Sequence, residues 1–196
     1  MTERSIILSA DEVKATLAGR MTLVVRPIKP QPVHDAEAFG IYWNKPNRLG
    51  KYGPSTWPLN GKPGEDILLH SPFGAPGDRV WCKETFRDNG LKEGHHSYYY
   101  KADDPLNAFR NFWNSPVYMP RKASRLTLEV KDVRVKRIQE ILNAECVLAG
   151  FEPTVRNAVP VKERFRDHWV YKITKSEDGW MDNPWCWFVE FRVVRP

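Results

Sequence analysis

The sequence predicts one α+β domain in which strands outnumber helices. Three observations carry that expectation. β-Branched or alternating apolar stretches occur at 22–26, 79–86, 97–101, 121–137 and from 185 onward. Only three short segments have helical spacing, and a proline- and glycine-rich stretch at 27–76 leaves little room for regular structure. A chain of 196 residues, 41% hydrophobic and 28% charged, has the composition of a folded globular protein with one core. No repeat, low-complexity tract or linker divides it, so residues 1–196 are read as a single domain with an irregular insertion at about 27–76.

In chain order, Ser9-Ala10-Asp11-Glu12 is a capping box: the Ser9 hydroxyl accepts a first-turn amide and the Glu12 carboxylate reaches back to the cap. Val13 and Leu17 then share a face and Gly19 supplies the stop, which predicts a helix over 10–18. Thr22-Leu23-Val24-Val25-Arg26 reads as a strand ended by Pro27. Residues 27–76 hold nine of the sixteen prolines, so short strands at most are expected there; Phe39, Tyr42, Trp43, Tyr52 and Trp57 imply that the segment packs on something. The Pro76-Gly77-Asp78 turn feeds a strand over 79–86, with Val80 and Cys82 on one face. Tyr98-Tyr99-Tyr100 belongs to another. In 121–137, Leu126, Leu128 and Val130 share a face, and the phase shifts after Lys131-Asp132 so that Val133 and Val135 continue it, the mark of a β-bulge. Asn143 is placed to cap a short helix ending at Gly150. Phe165, Trp169 and Ile173, four residues apart, predict an amphipathic helix over 161–173. Trp185, Trp187, Val189, Phe191 and Val193 alternate into a C-terminal strand.

Several functional classes are disfavoured. The apolar runs are a few residues long, whereas a spanning helix needs about 20, so no membrane segment is expected. The start Met1-Thr2-Glu3-Arg4-Ser5 has no signal-peptide pattern, which predicts a cytoplasmic protein. Cys82, Cys146 and Cys186 are odd in number and far apart, and read as small buried hydrophobes rather than disulfides or zinc ligands. The five histidines show no ligand spacing; neither a metal nor a cofactor is expected.

The charge is informative. The chain carries a net +6, and residues 121–137 alone hold seven cations against Glu129 and Asp132. With the apolar residues inward, Arg125, Thr127, Glu129 and Lys131, then Arg134 and Lys136, project to the other face. Such a row attracts phosphates, or is a solvated face that keeps the protein soluble. Arg121, Arg125, Lys131 and Arg134 are the candidate phosphate contacts. Tyr98, Tyr99, Tyr100, Phe109, Phe112 and Trp113 stack bases or fill a core.

The ordered blocks Gly19-Arg20-Met21-Thr22-Leu23-Val24-Val25-Arg26, Pro76-Gly77-Asp78-Arg79-Val80-Trp81-Cys82-Lys83-Glu84-Thr85-Phe86 and Met119-Pro120-Arg121-Lys122-Ala123-Ser124-Arg125 resemble ASCH-type, PUA-like proteins of phages and prophages. Phe165-Arg166-Asp167-His168-Trp169 and the segment from Asn183 to Phe191 add to the resemblance, which spans most of the chain outside 30–65. It implies a small closed or nearly closed β-barrel with flanking helices, binding RNA or a modified nucleobase in a cleft. The ASCH signature G-x-K-x-x-E-x-R, with Thr frequent at the Glu position, is matched by Gly19 and Arg26; Met21 replaces the Lys and Val24 the Glu or Thr. In related N4-acetylcytidine amidohydrolases that Lys, that Thr and a later-strand Glu do the work, and Glu84 resembles the last of these. Amide hydrolysis needs an activated nucleophile and a proton for the leaving amine. Met21 and Val24 supply neither.

The resulting expectation is a binding protein for RNA, DNA or a modified nucleoside, without the hydrolase activity. Its base pocket would comprise Arg26, Glu84, Trp81, Tyr100, Met21 and Val24. Two alternatives stand beside it: an amidohydrolase or nuclease built around Glu84 as catalytic residue, and a phage interaction module for a host protein, with 27–76 as its contact surface. For Glu84, a strand carboxylate paired with Arg26 or Arg79 is the plain structural alternative.

Overall fold

Alternating apolar and polar residues assemble a five-stranded sheet with helices packed on both faces. The computed structural model describes residues 4–32, 39–42, 67–92, 95–104, 112–153, 159–173 and 178–194. The chain runs β1 (Arg4–Ile7), α1 (Ala10–Leu17), β2 (Leu23–Pro27), β3 (Phe39–Tyr42), β4 (Ile67–His70), β5 (Arg79–Lys83), β6 (Phe86–Lys92), β7 (His95–Tyr100), β8 (Thr127–Arg137), α2 (Asn143–Leu148), α3 (Val161–Lys172) and β9 (Trp185–Val194). The main sheet has the order β1-β5-β8-β9-β2, with β1 parallel to β5 and the remaining neighbours antiparallel. β3 and β4 form a parallel pair, and β6 and β7 a hairpin.

The bulge read from the phase shift is present. The β8–β9 register steps from Val130 opposite Phe191 to Asp132 opposite Glu190, with Lys131 as the extra residue. Leu128, Val130 and Val133 therefore all reach the same core, which also takes Val80 and Cys82 from β5 and Val13 from α1. On the opposite face, β2 and β9 bury Leu23, Val25, Cys186 and Phe188 beneath Cys146 of α2 and Phe165 and Trp169 of α3. That helical cover ends over the second half of β8, where Arg134 and Lys136 reach Glu145 of α2. On β1, β5 and β8 the same face carries exposed or half-exposed Ser5, Ile7, Trp81, Lys83 and Thr127.

The expected barrel closure is corrected. β1 and β2 are the two edges of the sheet and share no ladder. The sheet nonetheless curls until one side chain spans the seam: Arg26 Nη2 on β2 donates to the Ile7 carbonyl on β1 at 3.0 Å. Glu12, at the capped start of α1, occupies the place where backbone bonds would otherwise run, accepting from Arg26 Nη1 at 3.0 Å.

Other boundaries also shift. β5 stops at Lys83, and Glu84 and Thr85 form the step into the β6–β7 hairpin. Residues 121–126 are not strand: Arg121–Ala123 is a 3-10 turn after Pro120, which has no N–H to give a ladder. Leu142, not Asn143, stands at the N-cap of α2, and the Glu145 carboxylate accepts its amide at 2.9 Å. β3 and β4 are short strands inside 27–76; Trp43, Tyr52 and Trp57 lie outside the described residues, as does Phe109. Among the described residues, no helix is long and apolar enough to cross a membrane.

Candidate functional site

The site begins with a helix cap. Ser9 Oγ accepts the Glu12 amide at 3.3 Å, and Glu12 Oε2 accepts the Ser9 amide at 2.7 Å. Both oxygens of the same carboxylate also receive cations, Arg26 through Nη1 and Nη2 at 3.0 Å each and Lys172 through Nζ at 2.8 Å. Burial by itself would raise the Glu12 pKa, but Arg26 and Lys172 lower it from 4.5 to about 2. α1, β2 and the end of α3 are thus tied together by one ionised carboxylate. On α3, burial and the nearby Lys172 ammonium lower the pKa of His168.

A cleft of about 490 Å³ opens at this seam. Its walls are largely apolar, with Met21, Leu23, Phe151, Phe165 and Trp169, and its rim carries Arg26, Lys172 and the Lys29–Asp178 ion pair at 2.7 Å. Thr85, Pro116 and Ile7 close the side nearest β5. The volume and the pairing of apolar walls with a few polar groups suit a small organic moiety. An adjoining hollow of about 290 Å³ shares Glu12, Met21 and His168 and adds Lys14 and Arg20 at its edge.

Of the six residues expected to form a base pocket, the structure brings two to this cleft, Met21 and Arg26. Val24 points to the opposite side of β2 and is fully buried in the core. Glu84, 1% exposed, is paired with neither Arg26 nor Arg79: its two oxygens are clasped by Arg125 Nε and Nη2 at 2.8 and 2.9 Å. Arg125 continues to Asp103 at 2.6 Å and lies 4.0 Å from the Tyr100 ring centroid, while the Tyr100 hydroxyl donates to the Ala123 carbonyl at 2.8 Å. Glu84, Arg125 and Tyr100 therefore form a separate clasp that holds the β6–β7 hairpin to the sheet. Trp81, half-buried on the uncovered sheet face, belongs to neither the cleft lining nor the clasp.

The basic row takes part in ion pairs. It does project from the outer face of β8, but acidic partners meet it there. Lys131 pairs with Glu129 at 3.0 Å, which also takes Arg192 at 2.6 Å. Arg134 is bonded to Asp132 at 2.8 Å, to Glu145 at 3.1 Å and to Glu190. Lys136 joins Glu145 at 2.9 Å. Glu145 is 4% exposed, so this network fastens α2 to the sheet. Of the four candidate phosphate contacts, Arg121 and Lys131 are exposed, and the Arg121 guanidinium lies 5.7 Å from the Trp81 ring centroid.

Sequence reasoning missed Glu12, Lys172, Lys29 and Asp178 as site residues. A partial signal existed: the capping box marked Glu12, and the four-residue spacing of Phe165, Trp169 and Ile173 marked the face of α3 that lines the cleft. Nothing local joins Glu12 to Lys172 across 160 residues. Among the described residues, no three His, Cys, Asp or Glu side chains are grouped to hold a metal ion.

No family model and no curated protein matches the chain. Among solved structures, protein EF3133 from Enterococcus faecalis V583, assigned to family model DUF984, is similar over 100% of this chain and 82% of its own, with 6% identity and a TM-score of 0.44. A likeness of that degree carries no functional argument.

Proposed function

We propose that the protein binds nucleic acid, RNA or DNA, by taking one nucleobase or modified nucleobase into the seam cleft, and that it does so without hydrolysing it. The observation that carries this reading is the cleft itself: apolar and aromatic walls for a flat ring, under a rim where Arg26 and Lys172 share the single carboxylate of Glu12 and so keep a positive charge in excess toward an anionic backbone. Its position, between the edge strands of a curled sheet, is where a PUA-like barrel would be opened, and we read the fold as such a barrel with its last seam left to side chains. Glu84 does not line the cleft, and its carboxylate is occupied by Arg125. Met21, at the position of the family's lysine, supplies wall and no proton. Recognition without amide hydrolysis follows from those groups.

The test is fluorescence anisotropy with fluorescein-labelled single-stranded RNA, single-stranded DNA and duplex at two salt concentrations. Salt-sensitive binding is expected, lowered at least tenfold by Ile173→Trp, which places an indole in the cleft; on average tenfold corresponds to about 1.4 kcal/mol. Unchanged binding by that variant, folded by circular dichroism, would remove the cleft from the interaction.

A further inference from the structure

The helical cover on the outer face of the sheet ends over the second half of β8, and the open part is not an ordinary solvated surface. Along β5, Arg79, Trp81 and Lys83 occupy successive outward positions. The Lys83 ammonium lies 5.1 Å and the Arg121 guanidinium 5.7 Å from the centre of the Trp81 ring. Arg79 and Lys122 are exposed nearby, and the described carboxylate of this face, Glu129, is already taken by Lys131 and Arg192. On β1, the register sets small, exposed Ser5 beside Trp81 and Ile7 beside Lys83. Both cations lie over the indole ring, on flexible side chains beside a low neighbour, so a base that stacks on Trp81 takes their place on the ring while they turn to its phosphates.

This platform is continuous with the cleft. Ile7, the strand neighbour of Lys83, lines the cleft, as does Thr85, two residues beyond Lys83. Lys83 Nζ donates to the Val117 carbonyl at 3.0 Å, next to Pro116 on the cleft wall. Two residues of strand advance about 7 Å from Trp81 to Lys83, and Thr85, at the step beyond β5, carries the track into the cleft.

We infer that the ligand is a single strand spanning more than one nucleotide, with one base in the cleft and a neighbouring base stacked on Trp81, the intervening phosphates lying along Lys83 and Arg121. The inference rests on the base-binding reading of the cleft. It excludes duplex, whose bases already stack on each other and present no free ring face to Trp81.

The experiment is anisotropy with fluorescein-labelled oligouridylate and oligothymidylate of one, two, four and eight nucleotides, and with an eight-base-pair duplex. Affinity should rise steeply between one and four nucleotides and be weak for duplex. Trp81→Leu should abolish the rise with length, an effect of about fivefold or more from the loss of one base–aromatic stack. Trp81→Phe should restore most of it, and binding of the single nucleotide should not change in either variant. Lys83→Gln and Arg121→Gln should each flatten the salt dependence. A length dependence that survives Trp81→Leu, or duplex binding as tight as single strand, overturns the track. If Ile173→Trp leaves every affinity unchanged while Trp81→Leu lowers that of the longer strands, the cleft reading fails and the platform stands alone.

Discussion

Glu12→Gln isolates the ion cluster at the seam, because glutamine keeps the cap. A Gln side chain at this position still accepts the Ser9 amide, so the capping box survives. What is lost is the negative charge shared by Arg26 and Lys172. A carboxyl held at about 2 instead of 4.5 is stabilised in the folded state by about 3 kcal/mol, converting at roughly 1.4 kcal/mol per tenfold. Glu12 has 13% of its side chain exposed, but Arg26 has 26% and Lys172 37%, so water screens part of the attraction and about 2 kcal/mol is the expected cost of Glu12→Gln at neutral pH. The folded-state pKa is depressed, so the contribution is complete above the unfolded value near 4.5 and disappears as pH falls toward 2. Urea unfolding followed by tryptophan fluorescence at pH 7, 5, 4, 3 and 2.5 should show the wild type and Glu12→Gln converging at the acid end. A difference that stays constant over that range would mean that the carboxylate acts through the cap or packing, and would refute the charge argument.

The remaining predictions use the same kinds of measurement. Glu84→Gln leaves the Arg125 guanidinium partly buried with Asp103 as its remaining carboxylate, and should cost about 2–4 kcal/mol in urea unfolding while leaving nucleic-acid affinity within about twofold. A selective loss of binding would instead put Glu84 in the site. Arg134→Ala should loosen α2, seen as faster hydrogen exchange over residues 143–148, and leave the salt slope of binding unchanged; Arg121→Gln should lower that slope by about one counterion. Burial pushes the Cys82 thiol up to about 12 and the Cys146 thiol up to about 11, and raises that of Cys186 further. At pH 8 a thiol reagent should therefore label the native protein slowly and the urea-unfolded protein at once. Rapid native labelling at any of the three would show that its surroundings open.

Much of the fold was legible because its signals are local. The capping box of α1 needs only Ser9 and Glu12, three residues apart, and the bulge at Lys131 follows from the phase of Leu128, Val130 and Val133. The apolar spacing of Phe165 and Trp169 marks α3, and the alternation from Trp185 marks β9. Composition likewise singled out a cationic chain with a basic β8. Those features are periodicities or short-range geometries, which the order of residues decides by itself.

Charge pairing was not of that kind. Whether Arg134 meets phosphate or carboxylate depends on α2 and β9 bringing Glu145 and Glu190 beside it, 11 and 56 residues away. Arg125 was expected to face solvent and is instead the partner of buried Glu84, 41 residues away. Coulomb interactions act through space and take their strength from burial, so their partners exist only once strands are ordered and helices docked. The sequence by itself determined where helices, strands and the excess of positive charge lie along the chain; the tertiary structure decided which cations are spent inside the molecule. It tied Arg26 and Lys172 to Glu12 at the seam cleft and set Lys83 and Arg121 beside Trp81, because those are the places where the sheet edges fail to meet and the helical cover ends.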